Sequence, residues 1–304
     1  MSTTLVRPPF PVVVDNSMRS AFRQCPHKFS LQYLHHWKAK TANQHLQGGG
    51  AFAHGIEVAR RSFYDHANDP EQAVLDGWRA LIEYYAEHEE QDGDVKTCKR
   101  MASALLYYFT AFPLESDFLV PFNYHGRSVI EFSFNFPLSI RHPETSDPIL
   151  YYGRFDMCGQ HHHSGDLYVV DEKTSSQLGN SWVEGWKLDS QFTGYCCGAR
   201  MFDLPVVGAI IRGVSITTAG NHSHAQSIQM RPKWIVERWY AQLERDVHSM
   251  IRMWNDGYFD MDLAGGCKMY GGCGFRQVCA SPDPQRWLEE DFVQREYSPW
   301  KQEH

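Results

Sequence analysis

Ile149-Leu150-Tyr151-Tyr152-Gly153-Arg154-Phe155-Asp156 and Leu167-Tyr168-Val169-Val170-Asp171-Glu172-Lys173-Thr174 decide how this chain folds. Each run is rich in aromatic and β-branched residues and reads as a strand. Between them, Gly159 through Asp166 is polar and turn-rich, so a hairpin is the economical connection. Side chains alternate along a strand, which puts Asp171 and Lys173 on one side. Asp156 ends the neighbouring strand and can meet them. Two carboxylates beside an ammonium make a place for a divalent cation and a charged donor.

Working outward, Ile130, Phe132, Phe134, Phe136 and Leu138 alternate as in a half-buried strand, and Val206 to Val214 reads as a buried one. Ser181 to Arg200 reads as a helix, with Lys187, Gln191 and Tyr195 at four-residue spacing on one face. Residues 232–256 read as a second helix, with Val236, Trp239, Leu243, Val247, Met250 and Trp254 marking its apolar stripe. Residues 17–112 are mostly helical, Ser17 capping Met18 to Tyr33 and Asp69-Pro70 opening Glu71 to Glu90. Residues 1–16 are Pro- and Val-rich and read as an extended arm. These elements predict an α/β chain with a mixed sheet core flanked by helices. A helical N-terminal arm takes residues 1–125, the core 126–256 and a cysteine-rich tail 257–304, packed as a single compact unit.

Composition narrows the function classes. The 304 residues are 42% hydrophobic, enough for one large domain or a core with an appendage. No run of about 18 apolar residues appears, which argues against a membrane span. The first residues lack a charged, then apolar, leader pattern, so eight cysteines point to reduced thiols or metal ligands. With a net charge of -7, a nucleic-acid binder must concentrate its basic residues locally. One candidate surface is Arg19, Arg23, Lys28, Lys38 and Lys40 interleaved with Phe22, Phe29, Tyr33 and Trp37. The plainer reading is an amphipathic helix that buries its aromatics. His161-His162-His163 falls in the hairpin turn and reads as a solvated loop.

Mg²⁺ and Mn²⁺ prefer oxygen ligands, and Mn²⁺ also accepts an imidazole. Asp156 and Asp171 supply carboxylates. Glu172 points to the other face, so only its backbone carbonyl can join. His54 is the candidate nitrogen ligand. Glu131, off the apolar face of its strand, can reach the same place; Glu57 is near His54 in sequence only. A bound cation polarises a phosphodiester and acidifies a water, and Lys173 orients that water or stabilises phosphoryl charge. Arg154 beside the site is a candidate phosphate contact. Separately, Cys267, Cys273 and Cys279 lie in a Gly-rich segment and can wrap one inorganic centre with a fourth ligand from elsewhere. Cys98, Cys158, Cys196 and Cys197 have no such spacing and read as small buried residues.

Gly153-x-x-Asp156, Val170-Asp171-Glu172-Lys173-Thr174 and Gln191-x-x-x-Tyr195 in that order resemble the PD-(D/E)XK nuclease superfamily, in its RecB-like and Cas4-like exonuclease branch. Gly50-Ala51-Phe52-Ala53-His54 resembles that branch's glycine-then-histidine helix. Ser20-Ala21-Phe22-Arg23-Gln24-Cys25-Pro26-His27-Lys28-Phe29 resembles its N-terminal CP-x-K signature. The resemblance runs over roughly residues 17–280. The proline that names the motif is absent, Phe155 standing before Asp156. The resemblance implies a restriction-endonuclease-like fold and a metal-dependent DNA nuclease, an exonuclease on single-stranded ends or branched DNA. Asp156, Asp171, Lys173, Gln191 and Tyr195 would carry catalysis. Gln191 and Tyr195, with Lys187 and Arg154, would face DNA. It makes Cys25 the fourth ligand of a 4Fe-4S cluster, with Zn²⁺ the alternative because four thiolates also suit a tetrahedral ion. It further implies a phage or mobile-element protein of DNA recombination or repair, in the cytoplasm of a bacterium or phage-infected host cell. A helicase or recombinase would be a separate partner, since no phosphate-binding GKT or GKS loop occurs in the chain. The rival from another class is a non-catalytic DNA-binding or adaptor protein that keeps the fold. Intact Asp156, Asp171 and Lys173 argue against it.

Overall fold

The computed structural model describes residues 7–40, 44–86, 94–268 and 272–300. In chain order its elements are β1 (Val13–Val14), α1 (Asn16–Gln24), α2 (Pro26–Phe29), β2 (Trp37–Ala39), α3 (Gln44–Tyr64), α4 (Pro70–Ala86) and α5 (Cys98–Ala111). Next come β3 (Leu119–Pro121), β4 (Asn123–Tyr124), β5 (Arg127–Ser128), β6 (Ile130–Arg141), β7 (Pro148–His161) and β8 (Leu167–Ser175). Then follow α6 (Asn180–Gly185), α7 (Ser190–Met201), β9 (Val206–Ser215), β10 (His224–Met230) and α8 (Lys233–Asp256). Short α9 (Arg276–Ala280), α10 (Pro284–Asp291) and β11 (Phe292–Gln294) close the chain.

The sheet is mixed, as its strand pattern predicts. Its order is β1-β7-β8-β9-β10, with β3 and β6 also paired to β7. β7 and β8 form the antiparallel hairpin, Met157 opposite Val170, while β8 and β9 run parallel from Tyr168↔Gly208 to Ser175↔Ser215. A parallel pair needs a crossover, and α6 and α7 supply it. Two compact units divide the chain: Met1–Ala42, Asn135–Gly153 and Arg238–Glu303 in one, and Asn43–Phe134 and Arg154–Glu237, with His304, in the other.

In the second unit, α3, α4 and α5 bury Phe52, Ile56, Leu81, Met101, Leu105 and Tyr108 together with Val214 near the end of β9 and Ile216 just after it. α3 and α4 approach closely because both carry glycine at the crossing: a Cβ on Gly77 would stand 2.3 Å from the Gly55 carbonyl oxygen. Val169, Val170, Ile210 and Ile211 are almost wholly shielded, as expected of strands covered on both faces. In the first unit, Val13, Val14, Phe136, Leu138, Ile140, Ile149 and Tyr151 are buried, as is the predicted stripe of α8, Trp239, Leu243, Val247, Met250 and Trp254, with Tyr151 edge-on to Trp239.

Three local readings change. Asp15, not Ser17, caps α1, accepting from the Met18 N–H at 2.8 Å. That helix stops at Gln24 rather than running to Tyr33, since Pro26 drives Cys25 into extended backbone (φ −165°, ψ 114°). The helix opened by Asp69-Pro70 is described to Ala86; the predicted 87–90 lie outside the described residues. The single helix expected over 181–200 is two, broken at Trp186–Asp189, where the Asp189 side chain caps α7 by accepting from the Gln191 and Phe192 N–H groups. The basic stretch near the N-terminus is spent on the fold. Arg19 is buried, and both Arg19 and Arg23 bind Asp246, at 2.6 and 2.7 Å. Phe22, Phe29 and Tyr33 are buried, so the amphipathic reading holds there. His162 and His163 lie in the exposed turn after β7, as expected.

Candidate active site

One step beyond the paired Met157 and Val170 stand Asp156 and Asp171, at the adjoining ends of the hairpin. Contrary to expectation, Asp156 does not end its strand, since β7 runs on to His161. Its Oδ2 accepts the Glu172 backbone N–H at 2.9 Å, which pins the middle of β7 to β8. Asp171 is 2% exposed. Its Oδ2 touches the Lys173 ammonium without hydrogen-bond alignment and is otherwise unsatisfied. The Lys173 ammonium also lies 5.7 Å from the centre of the Phe192 ring on α7.

On the other face of β8, Glu172 is locked in a buried network. Arg60 on α3 donates to Glu172 Oε2 at 3.2 Å and to its Oε1 at 2.5 Å. Tyr108 on α5 donates to Oε1 at 3.0 Å and accepts from Arg60 at 2.9 Å. The side chain is therefore consumed as a strut, in line with the expectation that Glu172 faces away from Asp171.

The electrostatics follow from burial. Asp156 is held well above the usual carboxylate range, first by burial and then by the neighbouring charges of Asp171, Glu172 and Glu131, with Lys173 opposing. Asp171 is raised by burial against the pull of Lys173. Burial works against charge on Glu172 too, but Arg60 outweighs it and the group stays below its usual range. Lys173 is disfavoured by burial, yet Asp171 and Asp156 keep it above its ordinary value. Glu131 is pushed up to about 7 by burial, despite Arg154, whose Nε lies 3.0 Å from Glu131 Oε2. Glu131 also sits at φ 51°, left-handed backbone that a long side chain rarely adopts.

His54 projects from α3 toward Glu57, Nδ1 to Oε2 3.7 Å, and the nearby Glu57 carboxylate raises its pKa against burial. Glu57 also takes the Arg61 Nε at 2.9 Å. Gln191 donates to the Tyr195 hydroxyl at 2.8 Å, and Tyr195 packs against Phe134 and Phe155. Lys187 does not share their face: it lies in the link before the Asp189 cap, exposed, with Glu184 3.9 Å away. Arg60, Tyr108 and Lys96 were not expected. Lys96 donates to Thr174, the residue after Lys173, at 2.7 Å. Arg60 left a trace in the sequence, a charge on the apolar stripe of Phe52, Ile56 and Phe63, four residues after Ile56.

Among the described residues, no three His, Cys, Asp or Glu side chains close into a metal site. The donors nonetheless fit a hard dication. Asp171 is buried and Asp156 half-buried, the charge of Asp171 raises Asp156, and one buried oxygen of Asp171 lacks a hydrogen bond.

In the first unit, Cys25 sits at the break between α1 and α2. Its Sγ accepts the Asp262 N–H at 3.4 Å. Gln24 donates to the Gly266 carbonyl at 3.0 Å, which brings the segment of Cys267 to the end of α1. Burial, then the charges of Cys273, Cys25 and Cys267, push the Cys279 thiol up to about 11. Among the described residues these thiols do not close into a metal site, although their soft donor set would suit iron or zinc. Of the cysteines read as structural, Cys158, Cys196 and Cys197 are buried and Cys98 half-buried.

Among the described residues, no helix is long and apolar enough to cross a membrane. Among curated proteins, no relative matches the chain. Among solved structures, a protein from Eubacterium rectale named as a candidate exonuclease is similar over 84% of this chain and 86% of its own, at 12% identity and a TM-score of 0.47. A family model spans residues 17–280, from the first helix to the last cysteines, and by that match the chain belongs to the PD-(D/E)XK nuclease superfamily.

Proposed function

We propose that this nuclease is a metal-dependent deoxyribonuclease that hydrolyses phosphodiesters at the Asp156–Asp171–Lys173 end of the β7–β8 hairpin. One observation carries the reading. A buried Asp171 and a half-buried Asp156 adjoin on paired strands, both raised above the usual carboxylate range although Lys173 stands beside them, so a further cation would relieve the site. A divalent ion held by Asp156, Asp171, the Glu172 carbonyl and His54 would polarise the phosphate and acidify an attacking water. The chain's own residues do the rest. Lys173 offers donors to the phosphoryl oxygens. The Arg60–Glu172–Tyr108 strut fixes the strand that carries both Asp171 and Lys173. Gln191 and Tyr195, joined by their hydrogen bond, present amide and hydroxyl to the DNA, with Arg154 and Lys187 as further phosphate contacts.

The preferred substrate is single-stranded ends or branched DNA, cut exonucleolytically, in a recombination or repair setting with a separate helicase or recombinase. End-labelled single- and double-stranded DNA incubated with Mg²⁺, Mn²⁺ or EDTA tests this. Metal-dependent shortening from an end supports it, and internal cuts alone or no cleavage refute it. A companion reading concerns the cysteines. Their mutual influence on Cys279 favours one centre held by Cys25, Cys267, Cys273 and Cys279, a 4Fe-4S cluster, with zinc the alternative. Iron and zinc content of protein purified without air separates the two.

A further inference from the structure

Beyond the carboxyl ends of the parallel strands β8 and β9 lies a cleft of about 350 Å³. Thr97, Lys99, Arg100 and Ser103 line it from the start of α5, and Thr218 and His222 from the loop after β9. Among the described residues, its lining includes no carboxylate. In a chain of net charge -7, that is a local reversal of sign.

The cleft is held in shape. Arg100 ties its two sides, donating to the Asp94 carbonyl at 2.7 Å and to the Thr218 carbonyl at 3.1 Å. His222 is fixed between the Ser215 carbonyl at 2.9 Å and the Ser103 hydroxyl at 3.0 Å. Lys99 is exposed at its rim.

Lys96 connects this cleft to the candidate active site. It directly precedes Thr97 and reaches Thr174, beside Lys173. The chain makes room for it: a Cβ on Gly48 would stand 2.8 Å from Lys96 Cβ and Cδ. Burial, then the charge of Lys173, lower its pKa to about 8, so an arriving anion would favour its charged form. Lys173, Lys96 and Lys99 thus follow one another from the hairpin end to the cleft.

We infer that this cleft binds a second phosphate of the DNA strand engaged at the active site, with Lys99 and Arg100 as its cations, Thr97 as a hydroxyl donor, and Lys96 between the two phosphates. The inference rests on the nuclease reading and extends it from one phosphate to the path of the strand.

Fluorescence anisotropy on single-stranded oligonucleotides in EDTA, across a salt series, tests it apart from catalysis. Lys99→Glu should weaken binding about tenfold and flatten the salt dependence by at least about 0.7 in log–log slope, the signature of one lost phosphate contact. Lys96→Met, which keeps the alkyl packing, should weaken binding about fivefold with a similar change of slope. Lys99→Arg should restore both, and Lys233→Glu, an exposed lysine on α8, should change neither. Losses equal for 5′-phosphate and 5′-hydroxyl oligonucleotides assign the cleft to an internal phosphodiester. Losses confined to the 5′-phosphate form assign it to the strand end. Unchanged affinity and slope in both lysine variants overturn the cleft, as does weaker binding with an unchanged slope. A wild type that binds with this signature but never cleaves would sink the nuclease chemistry and leave the cleft standing. No DNA binding at all sinks both.

Discussion

The two candidate metal centres are built in opposite ways. In the second unit, Asp156 and Asp171 stand on paired strands, and Arg60 and Tyr108 lock the carboxylate between Asp171 and Lys173. In the first unit, Cys25 sits at a helix break and Cys267 on a short turn, while Cys273 precedes the short helix that holds Cys279. Rigid strands can hold like charges together before any metal arrives. Loops cannot, so there the bound centre must supply the order. Metal should therefore serve chemistry at the oxygen site and folding at the sulfur site.

Cysteine removal should break that contrast most visibly. Cys25→Ala, Cys267→Ala, Cys273→Ala or Cys279→Ala should each lower iron content from about four per chain and cost much of the first unit's stability, up to about 10 kcal/mol as for structural metals in small domains. Cys98→Ala and Cys158→Ala should keep the metal. Metal analysis with urea unfolding reads both. Equal stability with and without the four thiols would make the sulfur site as self-supporting as the oxygen one.

The strut is the next largest effect. Arg60→Met leaves Glu172 buried and unpaired and should cost about 3–5 kcal/mol in urea unfolding. Adding Glu172→Leu should return most of that loss, because the uncompensated charge is gone. A double variant as unstable as the single one would mean that Arg60 acts by packing alone.

Catalysis comes third. Lys173→Ala should lower cleavage about a hundred- to a thousandfold, the usual cost of losing one donor aimed at developing charge, while the melting temperature stays within a few degrees. Near-normal cleavage would remove Lys173 from the reaction.

These sites differ in how far the sequence reveals them. The β7–β8 hairpin was legible because period-two patterning and a polar turn agree, and with it the pairing of Asp156 beside Asp171 and Lys173, but not the run of β7 past Asp156 to His161. The α8 stripe was legible for the same reason at helical period. The break at Trp186–Asp189 was hidden by a competing signal, since Lys187, Gln191 and Tyr195 keep perfect helical spacing across it. Asp189 overrides that pattern by capping a new helix. Pro26 was a visible breaker, but the aromatic run from Phe22 to Tyr33 outweighed it. The Arg60–Glu172–Tyr108 triad joins residues 48 to 112 positions apart, which no local pattern encodes. Such pairings are fixed by tertiary packing.

The smallest effect probes how well the oxygen site tolerates its own charge without metal. Glu131 is raised to about 7 from an ordinary value of 4.5, chiefly by burial. A carboxylate raised on folding leaves the native state holding more protons than the unfolded chain between those two values. The contribution of Glu131 to stability should thus be fullest below about pH 4.5 and be lost as pH rises through 7. In EDTA at pH 8, Glu131→Gln should be more stable than wild type, by something on the order of 1–3 kcal/mol, and its stability should vary less between pH 5 and 7. Gln retains an oxygen for Arg154, so the ion pair becomes a hydrogen bond rather than a void. Urea unfolding across pH measures it. If the Gln variant is instead weaker at pH 8, the ion pair with Arg154 outweighs the burial of Glu131, and the oxygen site carries its charges unaided.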